Sequence, residues 1–123
     1  MKNVFGTILL STILVLLSST FTVFAQSLDV SGKWNMKVEA DGVNRTPVFV
    51  LKQTGETVTG SYSGQFGEAP VTGTCKEKVI KFEFKAGGYN VIYTGTVEGI
   101  TMKGKVAIGD VAEGTFIGTK EVK

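Results

Sequence analysis

Residues 57–74 read TVTGSYSGQFGEAPVTGT, two alternating runs on either side of a glycine-rich turn. A strand sends successive side chains to opposite faces, so Val58, Gly60 and Tyr62 share one face while Thr57, Thr59 and Ser61 share the other. The second run repeats the pattern with Val71, Gly73 and Cys75 against Thr72 and Thr74. The same rule returns three times downstream: in Tyr93, Gly95 and Val97, in Met102, Gly104 and Val106, and in Ala112, Gly114 and Phe116. A chain written in this grammar is an all-β protein with one apolar face per strand.

Working outward, the alternation and the turn residues predict eight strands, over 33–40, 45–53, 57–64, 70–76, 79–86, 90–97, 100–107 and 111–118. The fifth is the plainest, with Ile80, Phe82 and Phe84 opposite Lys81, Glu83 and Lys85. In the second, Phe49, Leu51 and Gln53 are expected inward, although Val48 and Val50 make the other face nearly as apolar. Asp41-Gly42 and Gly87-Gly88 suit two-residue hairpin turns, in which both central residues take positive φ. Pro70 is placed at a strand start, where its missing N–H is tolerated.

Eight strands on short hairpins could stack as a sandwich or close as an up-and-down barrel. Closure removes the two free edges of an open sheet, and mid-strand glycines suit strands that bend around a small circumference. The expected fold is therefore an eight-stranded antiparallel up-and-down barrel. Five inward glycines also remove side-chain volume, which leaves either a cavity or room for the rings to pack down onto them.

The N-terminus reads differently. Lys2 precedes the apolar run of residues 8–17, and Val23, Phe24 and Ala25 suit a cleavage site. Residues 1–25 are expected to be a signal peptide, leaving residues 26–123 as one barrel domain released to the periplasm or the exterior. No membrane contact is expected once that leader is removed.

Composition narrows the function classes. With 13 Lys and Arg against 11 Asp and Glu, the chain is close to neutral, and its lysines are spread along outward strand faces. A protein tracking nucleic-acid phosphates needs a basic cluster, so nucleic acid is excluded as a partner. There is no histidine, so the usual general base and commonest metal ligand are missing, and no Ser/His or Cys/His arrangement can be assembled. The carboxylates Glu68, Glu98, Asp110 and Glu113 fall at turns or on outer faces, where they are ordinarily solvated. The chain is read as non-catalytic, with no cofactor and no metal site. The single cysteine, Cys75, lies on an apolar face and reads as a buried thiol. Asn44-Arg45-Thr46 matches a glycosylation sequon in an expected turn.

Ser31-Gly32-Lys33-Trp34 at the first strand resembles the G-x-W opening of calycin-type barrels, the lipocalins and avidins. That resemblance implies that Trp34 plugs one end. FVLKQTGETVTGSYSGQFGEAPVTGT with the later YTGTVEG and TMKGKV is similar to a group of short, exported bacterial barrel domains, mostly uncharacterised and sometimes appended to hydrolases. Two functions follow. One is a barrel holding a small apolar molecule, with Gln53, Tyr62 and Tyr93 as polar contacts and Phe49, Phe82, Phe84, Met102 and Phe116 as walls, or else an accessory barrel with no ligand. The other is a module that binds another exported protein, as lipocalin-like protease inhibitors do, with Gln26-Ser27-Leu28 as an N-terminal arm.

Overall fold

Strand ends in this protein are set by turn chemistry. The computed structural model describes residues 28–122; the expected leader, residues 1–25, and Gln26 and Ser27 of the arm lie outside the described residues. Nine strands follow in chain order: β1 (Gly32–Ala40), β2 (Val43–Arg45), β3 (Val48–Thr54), β4 (Thr57–Gly64), β5 (Gly67–Lys76), β6 (Val79–Ala86), β7 (Tyr89–Glu98), β8 (Thr101–Ile108) and β9 (Ala112–Lys120). From β3 onward each strand pairs antiparallel with the next, β1 pairs with β3, and β9 returns to β1. Eight strands thus close an antiparallel barrel, as expected, and the described residues contain no helix.

The expected second strand, 45–53, is two strands. Both β2 and β3 pair with β1 on one continuous register, Val38 opposite Arg45 and Asn35 opposite Val48. Between them Pro47 accepts a bond from the Met36 N–H at 3.0 Å. It has no N–H to return, so the ladder lapses there. Other bounds shift by one to three residues, and in three strands the cause is visible. β5 begins at Gly67 because Gly67, Glu68 and Ala69 already pair with Gly64, Ser63 and Tyr62. β8 begins at Thr101, since Gly99 takes φ 61° and puts Ile100 in the turn. β9 starts at Ala112 and runs on to Lys120, where its last residues close the barrel against Trp34 and Asn35. The Asp41-Gly42 hairpin forms as expected, with φ of 54° and 76° at its two central residues.

The barrel is staggered as well as closed. Stepping from partner to partner, with each register continued where its ladder stops, a path leaves β1 at Gly32 and visits Leu51, Gly60, Val71, Phe84, Val91, Ile108 and Ala112. It re-enters β1 at Gly42, ten residues further on. Strands tilted in this way bring residues from distant heights of the sequence pattern together inside.

Inward faces are apolar throughout: Trp34, Met36, Val38 and Ala40 on β1 and Ile80, Phe82, Phe84 and Ala86 on β6 are all buried, and their neighbours on the other face are exposed. On β3 the inward face is the one with Phe49 and Leu51, and Val50 is left 49% exposed. The mid-strand glycines neither vacate a cavity nor receive rings. A Cβ added at Gly60, Gly73, Gly95, Gly104 or Gly114 would stand 1.9–2.1 Å from a backbone carbonyl oxygen of the neighbouring strand. Their space is taken by backbone, because strongly coiled strands approach closely at these points.

Candidate functional site

The two ends of the barrel are built from different chemistry. At one end Trp34 is fully buried and its Nε1–H donates to the Val30 carbonyl at 2.8 Å. Val30, also fully buried, donates its N–H to Gln53 Oε1 at 2.8 Å, and Gln53 returns its own N–H to Ser31 Oγ at 2.9 Å. The Gln53 side-chain amide donates to the Gly55 carbonyl, and Asp29 Oδ1 accepts from the Ser31 N–H. Those bonds to Ser31, aided by Lys120, hold the Asp29 carboxyl below its ordinary range. The segment before β1 is therefore strapped across this end.

Six of the eight sequence-predicted contacts meet in the middle. Phe49 touches the rings of Tyr62, Phe82, Phe84 and Tyr93 at centroid distances of 5.1–5.6 Å. Tyr62 stacks on Phe84 at 4.2 Å, Phe82 stacks on Tyr93 at 4.9 Å, and Phe116 lies 4.8 Å from Tyr93. The other two stand elsewhere. Gln53 belongs to the strap, and Met102 lies beside Met36 over Gly118, where an added Cβ would collide with both.

The opposite end is a mouth. It is framed by the β1–β2, β4–β5, β6–β7 and β8–β9 turns. Below the rim, Tyr62, Tyr93, Phe84, Arg45, Gln65 and Phe66 enclose a niche of about 20 Å³, room for one water-sized group. Outside it Val43, Phe66, Tyr89, Ile108, Val111 and Ala112 line a vestibule of about 250 Å³, with Asp41 and Arg45 at its edge. Phe66 forms the partition. Its ring meets Tyr89 at 5.9 Å, the Arg45 guanidinium lies 5.5 Å over it, and its N–H donates to the Tyr62 hydroxyl at 3.2 Å.

The polar groups of the mouth are under-used. Arg45 Nε donates to Gln65 Oε1. Among the described residues the ion pairs are Lys33–Glu121 and Lys78–Glu98, and Arg45 joins neither. Tyr93 is only 3% exposed, and its hydroxyl has no hydrogen-bond partner among the described residues. Burial, and after it the neighbouring Tyr62, push the Tyr93 phenol well above its ordinary value, while Arg45 pulls the other way.

Sequence reading missed Arg45, Gln65, Phe66 and Tyr89 as site residues. One signal was present: Phe66 is a large apolar side chain in a hairpin turn between Gly64 and Gly67, where polar residues are the rule. Cys75 is buried as expected, its thiol raised by desolvation and directed at the Glu77 carbonyl. Among the described residues no group of acidic residues and cysteine is placed to hold a metal ion. The chain matches no protein-family model and no curated protein sequence.

Proposed function

We propose that this chain is an exported, non-catalytic binding barrel that takes a small apolar molecule at its open mouth. The observation that carries the reading is the contrast between a centre filled by six contacting rings and an apolar vestibule of about 250 Å³ directly above it. Binding sites are concave and largely apolar with a few convergent polar groups, and the vestibule with Arg45 and Tyr93 beneath it has that make-up. The outward strand faces carry Lys, Thr and Glu while the interior is apolar, the reverse of a membrane-spanning barrel, which supports a water-facing module.

A neutral fluorescent probe, N-phenyl-1-naphthylamine, tests the location. Titrated against wild type, Phe66→Ser and Ile117→Ser, it is expected to lose affinity at the mouth variant and keep it at Ile117, an exposed residue of the outer wall. Loss at Ile117 with none at Phe66 would overturn the mouth as the site.

A further inference from the structure

The mouth holds several side-chain donors around one small space. Arg45 keeps the four N–H donors of its terminal nitrogens after Nε has gone to Gln65, and its guanidinium carries a positive charge. Gln65 has committed its amide oxygen to Arg45, so the NH₂ is what it has left to offer. The Tyr62 hydroxyl accepts from the Phe66 N–H, which leaves its hydrogen to donate. The Tyr93 side chain is buried and lines the niche, and its hydroxyl, unpartnered among the described residues, stays within reach of solvent there.

We infer that the mouth binds a small molecule with one carboxylate on an apolar body: a carboxylate oxygen enters the niche between Arg45 and Tyr93, and the body lies in the vestibule against Phe66, Tyr89 and Val111. This rests on the reading of the mouth as the binding site. The niche is small, about 20 Å³, and has room for an oxygen-sized group. One guanidinium and no second cation among the lining residues matches a single negative charge. Asp41 at the vestibule edge and Glu39 in the groove behind Arg45 are exposed, and water and salt screen their repulsion more than they screen the attraction in the niche.

Three probes of one chain length separate the charge from the apolar term: octanoate, octan-1-ol and octylammonium, titrated by calorimetry at neutral pH. Octanoate is expected to bind about tenfold or more tighter than the other two, the scale of one charge-assisted hydrogen bond. Arg45→Gln should remove that advantage, lowering octanoate affinity by a larger factor than octan-1-ol affinity, and Tyr93→Phe should lose a smaller part of it. If octan-1-ol binds as well as octanoate and is lost in Phe66→Ser, the carboxylate inference falls and the mouth reading stands. If none of the three binds, both fall. Should Arg45→Gln fail to fold, the side-chain Nε–H resonance of Arg45 in wild type is followed on adding octanoate. Movement there supports the inference, and an unmoved signal overturns it.

Discussion

The Trp34 end and the Arg45 end close the same barrel with opposite uses of polar groups. At the first, the named donors and acceptors are matched: Trp34 to Val30, Val30 to Gln53, Gln53 to Ser31. At the second, a buried tyrosine and an arginine are left with donors to spare, under a rim that exposes Val43, Tyr89 and Val111. Buried polar groups satisfied within the protein rigidify a structure, while solvent-reached donors next to a concave apolar surface are ready to receive a ligand. One end is therefore built for stability, and the proposed recognition falls to the other.

The largest effects should appear where that contrast is sharpest. Trp34→Ala removes the plug and leaves the Val30 carbonyl without its donor, at an expected cost of about 3–5 kcal/mol in urea unfolding. Phe66→Ala at the mouth should cost about 1 kcal/mol, because the ring is only partly buried. Equal losses at the two positions would break the comparison.

A middle-sized effect belongs to the wall between the ends. Gly104→Val places a Cβ about 2.0 Å from the Thr94 carbonyl oxygen, and the backbone must move to receive it. The expected destabilisation is roughly 1–3 kcal/mol or more. An unchanged unfolding midpoint would show that the strands do not approach as closely as described.

The smallest effect sharpens the open end. The folded state raises the Tyr93 phenol, so the neutral form is favoured by folding. Stability from this group is intact below the unfolded phenol value of about 10 and declines as pH rises past it toward the folded value. The melting temperature of wild type should therefore fall faster than that of Tyr93→Phe between neutral and strongly alkaline pH. Parallel curves would place the phenol in water.

The sequence by itself determined the faces. Period-two alternation put Phe49, Tyr62, Phe82, Phe84, Tyr93 and Phe116 inward, and hairpin residues such as Asp41-Gly42 and Gly87-Gly88 set nearest-neighbour pairing, so the barrel was legible. It mis-stated the meaning of Gly60 and its four counterparts, since a missing side chain says nothing about whether cavity, ring or backbone fills the space. It also grouped Gln53 with Tyr62 and Tyr93, which point the same way but act at opposite ends. Only the tertiary structure decided height. A ten-residue stagger around the barrel fixes which inward residues share a level, and that stagger arises from registers between strands. Arg45, Phe66 and Tyr89 come from three different segments and meet at one rim for the same reason, and no local pattern in any of those segments encodes the meeting.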